Sequence, residues 1–171
     1  VQAATKRWLA LTAADLMTSP VMTISQNTPL REAARLLRGS DVSGAPVVDD
    51  RGRCVSILSS TDFVTWAGKD GPTIRFIAPW GEMIDVEGEP DNEIRHYMTP
   101  DVVTVEPGTP VGELARKMVD AHIHRVVVVV DESRPCGIVS STDVLAAIAR
   151  EAREASSRGG RKLAKNRKLA H

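Results

Sequence analysis

Cysteines, long apolar runs and an excess charge of either sign are scarce or absent in this chain of 171 residues, and each absence removes a class of protein. Cys54 and Cys136 are the only cysteines and form no C-x-x-C pair, so neither a disulfide framework nor a zinc site is readable. Both are expected to be reduced and structural. No stretch approaches the roughly 18 consecutive apolar residues that a bilayer-spanning helix needs, and residues 1–14 hold no apolar run followed by a small-residue cleavage site. The expectation is a soluble, cytoplasmic protein with no membrane partner. No G-x-S-x-G, Walker loop, H-E-x-x-H or dinucleotide fingerprint is present, so no catalytic residue is visible and no enzyme is expected.

What is present is a globular composition, 42% hydrophobic and 26% charged, sufficient for a core. The net charge of zero conceals an asymmetry: residues 150–171 carry eight Lys/Arg against Glu151 and Glu154, leaving +6 there and −6 elsewhere. An acidic stretch, Glu82, Asp85, Glu87, Glu89, Asp91 and Glu93, stands in the middle of the chain. The tail reads as a solvated helix end followed by a frayed Ser-Ser-Arg-Gly-Gly segment; nucleic-acid binding and docking on the acidic stretch are the alternatives.

The decisive pattern is an internal repeat. Shifted by 81, residues 17–62 align with 98–143 without a gap, and 18 of the 46 pairs are identical, from Met17/Met98 to Asp62/Asp143. Each copy opens with an extended segment (Val21–Ser25, Val102–Glu106), followed by a helix with Thr28 or Thr109 as N-cap and Pro29 or Pro110 at its first position. Leu30, Ala33, Ala34 and Leu37, like Val111, Leu114, Ala115 and Met118, share one helical face. The apolar runs Ala45–Asp49 and Val126–Val130 suit strands covered on both sides. Turns at Arg51-Gly52 and Ser133-Arg134-Pro135 lead to Val55–Leu58 and Cys136–Val139. A second helix follows Ser-Ser-Thr-Asp, with Val144, Leu145 and Ile148 expected to face inward. The fold class is therefore α+β (α/β), two β-α-β-β-α units. A unit of roughly 50–55 residues hides too little surface alone, so the two are expected to pack about a pseudo-twofold axis.

This order of elements, with Met-Thr opening each copy, Ser43-Gly44-Ala45-Pro46-Val47-Val48 in the first and Gly137-Ile138-Val139-Ser140-Ser141-Thr142-Asp143 in the second, resembles the tandem cystathionine-β-synthase (CBS) domain pair. His124-Arg125 followed by the valine run is similar to the nucleotide-sensing repeats of the AMP-activated kinase γ subunit. The expected division is an N-terminal segment 1–13, repeats at 14–66 and 95–149, a linker 67–94 and a basic tail 150–171. Two departures stand out: Val127 occupies the place of Pro46, and Ser56 the place of Gly137.

The Ser-x-x-Asp ending each copy has two readings. An ionised carboxylate only accepts hydrogen bonds, so Asp62 or Asp143 can take both hydroxyls of a ribose, with Ser59 or Ser140 beside it. The bland reading is a helix cap. The resemblance implies that adenine lies between the repeats. One cleft would comprise Thr18, Pro20, Met22, Val42, Ser43, Gly44 and Pro46 with Ile138, Ser140, Thr142 and Asp143. The other would comprise Thr99, Asp101, Val103, Ile123, His124, Arg125 and Val127 with Ile57, Ser59, Thr61 and Asp62. Only the second holds an evident cation, so a phosphorylated adenosine (AMP, ADP or ATP) is assigned to the Asp62/Arg125 cleft. His122 and His124 as a metal pair is a further reading, based on alternate strand residues sharing a face.

Residues 67–94 are rich in Gly and Pro, which argues against regular structure, with Trp80, Phe76 and Ile77 expected to pack on the repeats. Lys6–Leu11 is expected to be helical and to cover an edge. The leading functional expectation is a non-catalytic regulatory module for energy sensing and signal transduction, with no metal or redox cofactor. Its ligand is an adenosine-containing small molecule, and its partners are a second copy of the chain and an effector protein. The competing readings are nucleic-acid binding through the tail and an interaction scaffold with vestigial clefts.

Overall fold

The computed structural model describes residues 8–67, 73–77, 83–87, 93–98 and 102–168. A short helix α1 (Ala13–Leu16) precedes β1 (Ile24–Ser25), α2 (Leu30–Gly39), β2 (Gly44–Val48), β3 (Cys54–Ser59) and α3 (Ser60–Ala67). After β4 (Thr73–Ile77) and β5 (Met83–Glu87), a 3-10 turn at Ile94–His96 leads to β6 (Thr104–Val105), α4 (Val111–Asp120), β7 (Arg125–Val130), β8 (Arg134–Ser140) and α5 (Ser141–Lys168).

The 81-residue shift is also the structural register. In the first sheet β2 lies between parallel β1 and antiparallel β3, pairing Ile24 with Val47, Gly44 with Ser59 and Pro46 with Ile57. In the second, β7 lies between β6 and β8, pairing Val105 with Val128, Arg125 with Ser140 and Val127 with Ile138. Both hairpins shift register at the same place, Val47/Val48 and Val128/Val129. The central strands are buried at three consecutive positions, as the continuous apolar runs require. Leu30, Ala33 and Leu37 of α2, and Val111, Leu114 and Met118 of α4, supply the buried helical faces, while Ala34 and Ala115 are half-buried.

Helix ends follow backbone chemistry rather than the expected caps. Pro29 and Pro110 are themselves the N-cap residues, with extended ψ of 144° and 145°, and Thr28 and Thr109 stand one place outside. The Val111 N–H is taken by the Leu11 carbonyl at 2.9 Å, so α4 needs no side-chain cap there. Both helices stop with a residue in the left-handed region, Asp41 and His122, each at φ 53°. The next amide donates back across the turn, Val42 to Leu37 and Ile123 to Met118, at 3.2 and 2.9 Å.

Packing does not follow chain order. Trp8, Leu11, Ala13, Leu16 and Met17 join the core of Val105, Val111, Leu114, Met118, Val126, Val128, Val139, Val144 and Ala147 in the second unit. Ile94, Tyr97 and Met98 join the core of Ile24, Leu30, Leu37, Val47, Leu58 and Phe63 in the first. The backbone repeats the exchange: Ala13 N–H donates to Thr109 O at 2.9 Å, and Ile94 N–H to Thr28 O at 3.0 Å. Isolated bridges Thr12–Pro110 and Glu93–Pro29 match under the same shift. The structural repeat therefore begins at Thr12 and Glu93, before the sequence identities start. Each unit is closed by the other's leading segment, and each large side chain buried there contributes about 1.5–3 kcal/mol.

Several expectations are corrected. Val144 and Ala147 face the core, whereas Leu145 and Ile148 are 64% and 39% exposed. Burial therefore selects the i and i+3 positions of α5 and leaves two apolar neighbours outside. The segment expected to be irregular contains an antiparallel hairpin, with Thr73 opposite Glu87 and Ile77 opposite Met83. Its Gly and Pro residues flank the strands instead of interrupting them. The packing expected of Trp80, Phe76 and Ile77 lies outside the described residues, since only the backbone of the two strands is described. The tail does not break at Ser156-Ser157-Arg158-Gly159-Gly160, because α5 continues through it to Lys168. Lys6 and Arg7 lie outside the described residues, while Trp8 and Leu11 pack on the second core.

Three titratable groups report local structure. Backbone hydrogen bonding from Thr12 lowers the Asp15 carboxyl, and bonding from Arg53 does the same for Asp49. Their stabilising effect is full above the ordinary carboxylate value and is lost as pH falls through the depressed folded one. Burial pushes the Cys54 thiol up to about 11, consistent with an unreactive structural cysteine.

One glycine is required by the close approach of the leading segment to β8. A Cβ on Gly137 would stand 2.4 Å from Met17 Sδ and 3.0 Å from Met17 Cβ. Gly137→Ala is expected to destabilise the chain by about 1–3 kcal/mol through overpacking. Adding Met17→Ala should recover part of that loss, and a thermal-unfolding double-mutant cycle measures the coupling. Purely additive effects would show that the two residues do not meet.

Candidate functional site

The Ser-x-x-Asp sequences close the last strand of each unit onto its following helix. Ser59 N–H and Oγ–H donate to Asp62 Oδ2 at 2.6 and 2.8 Å. Ser140 N–H and Oγ–H donate to Asp143 Oδ2 at 2.8 and 2.6 Å, and Asp143 N–H returns a bond to Ser140 Oγ at 3.2 Å. Capping is therefore real at both places. The same arrangement joins Thr12 to Asp15 at 2.8 and 2.9 Å, at a helix that none of the expected clefts includes. A cap alone does not define a ligand site.

The surroundings of the two later caps differ from those of Thr12–Asp15. Ser60 N–H donates to Ser43 O at 3.0 Å, and Ser141 N–H to His124 O at 2.9 Å, which holds the loop before each central strand over the helix start. Each aspartate thus lies near the loop before the central strand of its own repeat, Asp62 by Ser43 and Asp143 by His124, whereas the expected clefts pair it with the loop of the other repeat. Thr18 from the first repeat pairs with Ile138 from the second through reciprocal backbone bonds of 3.0 and 3.3 Å. The Met-Thr segment accordingly runs along the strand that ends in Ser140, bringing together part of the first expected cleft.

The unequal cation is placed across the interface. Arg125 leaves β7, yet its Nη2 donates to Ser43 Oγ of the other repeat, in a half-buried position. Since Ser43 is joined to Ser60, the guanidinium reaches toward the start of the helix carrying Asp62. The bond thus joins a residue of the second expected cleft to one of the first.

The remaining expected residues are distributed as follows. Ile57, Ser59, Asp62, Ile138, Ser140 and Asp143 are half-buried, Gly44 likewise, while Thr18, Pro20, Thr61, Thr142 and His124 are exposed. Met22 and Val42 pack partly buried against the first core, and Val103 and Ile123 against the second. Met22 Sδ also accepts the Ser40 hydroxyl at 3.0 Å. Pro46 and Val127 are buried. Thr99 and Asp101 lie outside the described residues.

His122 closes a helix in the left-handed region and precedes the strand that begins at Arg125, so it shares no strand face with His124. The alternation on which a metal pair rested is absent there, and among the described residues no group of three potential ligands clusters.

Three inter-repeat contacts had no clear signal in the sequence. Ser19 Oγ–H donates to Cys136 O at 2.9 Å, Cys54 N–H donates to Ser133 O at 2.8 Å, and Met17 covers Gly137. The counterpart of Cys54 is Pro135, which has no N–H, so the Cys54 bond cannot recur under the pseudo-twofold.

Two mixed sheets, each with two helices and a borrowed leading segment, form a pair of equivalent units that each carry a Ser-x-x-Asp cap. The chain belongs to the CBS domain family, whose model matches residues 13–69 and 94–150, two spans separated by the same 81-residue shift. It is 28% identical over 150 residues to an uncharacterised protein of Methanocaldococcus jannaschii, covering 78% of this chain and 89% of that protein. It is 30% identical over 130 residues to an L-aspartate semialdehyde sulfurtransferase of the same organism, covering 76% of this chain and 22% of that enzyme. Among solved structures, the CBS domain pair of protein MJ0100 in complex with 5′-methylthioadenosine and S-adenosyl-L-methionine matches with a TM-score of 0.67 and 26% identity. That match covers 83% of this chain and 98% of the other. No helix among the described residues is long and apolar enough to cross a membrane.

Proposed function

We propose that this chain is a non-catalytic regulatory module, with repeats at 14–66 and 95–149, that binds an adenosine-containing ligand between the repeats. It reports occupancy through their relative geometry. The observation that carries this reading is the Arg125–Ser43 bond. It holds a cation from one repeat on the loop of the other, which is itself bonded to the start of the helix carrying Asp62. The adenosyl ligands in the MJ0100 complex support the ligand class. In this reading Asp62 takes the ribose diol and Arg125 the phosphate of AMP, ADP or ATP, with His124 as a second donor. The Asp143 cleft, without a cation of its own, suits an uncharged adenosine derivative. A second copy of the chain and an effector protein in the cytoplasm complete the reading. Any ligand that shifts the repeats must bind one arrangement more tightly than the other.

Calorimetry with AMP, ADP, ATP and S-adenosylmethionine tests the assignment. Arg125→Ala is expected to weaken the phosphorylated ligands by roughly tenfold to a hundredfold, the scale of one or two charge-assisted hydrogen bonds. Equal affinities for wild type and variant would remove Arg125 from the site.

A further inference from the structure

Arg125 bridges the two repeats. Its backbone pairs with Ser140, next to Asp143, whereas its guanidinium is held by Ser43, next to Ser60 and the helix of Asp62. The strand alone does not select the second destination. A long arginine side chain samples many rotamers, and restricting it costs conformational entropy unless a partner fixes it. Ser43 is that partner: a half-buried hydroxyl on a loop already anchored by the Ser60 N–H.

Building on the nucleotide-binding reading, we propose that Ser43 is a positioning and specificity-determining residue. It assigns the chain's phosphate-binding cation to the Asp62 cleft and so makes two otherwise similar clefts unequal. Under the repeat, Ser43 corresponds to His124 and Arg125 to Gly44, so no reciprocal pair exists to supply the Asp143 cleft. One hydrogen bond to Ser43 uses only part of the guanidinium, which has five donors, and the others remain for phosphate oxygens. Pre-organisation of this kind acts on the charged part of the ligand and leaves the nucleoside contacts alone.

The test is calorimetric titration of the full chain with AMP and with adenosine, for wild type, Ser43→Ala and Ser43→Thr. Ser43→Ala is expected to lower the ratio of AMP to adenosine affinity roughly tenfold, the scale of one hydrogen bond to a charged group. Ser43→Thr, which keeps the hydroxyl, should restore the wild-type preference for AMP. A wild-type ratio of AMP to adenosine affinity in Ser43→Ala, or equal weakening of both ligands, would overturn the proposal while leaving nucleotide binding intact. Absence of binding by wild type would instead remove the underlying reading and this one with it.

Discussion

Asp62→Ala is expected to weaken AMP binding by a hundredfold or more, the combined scale of two hydrogen bonds from a ribose diol to a carboxylate at about 1.5–3 kcal/mol each. The same change removes a helix cap, whose loss costs about 1 kcal/mol of stability. The two effects are separable because the chain contains its own control. Asp15 accepts the Thr12 N–H and hydroxyl in the same arrangement by which Asp62 accepts those of Ser59. Asp15→Ala should therefore lower stability comparably and leave AMP affinity unchanged. Thermal unfolding and calorimetry on both variants make the comparison. Equal affinities in the two variants would reduce Asp62 to a cap.

Leu16→Asp is expected to destabilise the second unit by about 3 kcal/mol or more, through the lost burial of leucine and the cost of desolvating a carboxylate. Against a total of about 5–15 kcal/mol for a typical domain, that is a large fraction. Leu16 is buried among Val111, Leu114, Val126 and Val139, although it precedes the first repeat's strands in the chain. Hydrogen exchange distinguishes the exchanged arrangement from packing in chain order. Protection should fall first at residues 104–147, with residues 24–63 affected later. Earlier loss in the first unit would contradict the exchange of leading segments.

Much of this architecture was legible because the repeat imposed two independent readings on each element. The helices over Leu30–Gly39 and Val111–Asp120 and the central strands followed from apolar spacing alone. The leading segments were not legible as part of the repeat, because Thr12 and Glu93, like Ala13 and Ile94, share position without sharing identity. Backbone hydrogen bonds carry that equivalence, and backbone bonding leaves little trace in residue type. The β4–β5 hairpin was hidden by its flanking Gly and Pro residues. The inward side of α5 was misjudged because Leu145 and Ile148 are apolar yet lie off the buried stripe of Val144 and Ala147.

In the candidate site, the repeat drew attention to both Ser-x-x-Asp caps and to Arg125 as the unmatched cation. The destination of Arg125 was less legible, since side-chain reach across a pseudo-twofold depends on the distance between units. The family resemblance places Ser43 with the Asp143 cleft, and its hydroxyl meets the cation assigned to the other cleft.

The most direct test of the central claim is titration of the purified, ligand-stripped chain with AMP, 5′-methylthioadenosine and S-adenosylmethionine, followed by calorimetry. The account predicts saturable binding of at least one of them, no more than two sites per chain, and weaker binding of the phosphorylated ligand in Arg125→Ala and Asp62→Ala. Flat titrations with every adenosyl ligand, on a chain shown to be folded, would contradict it.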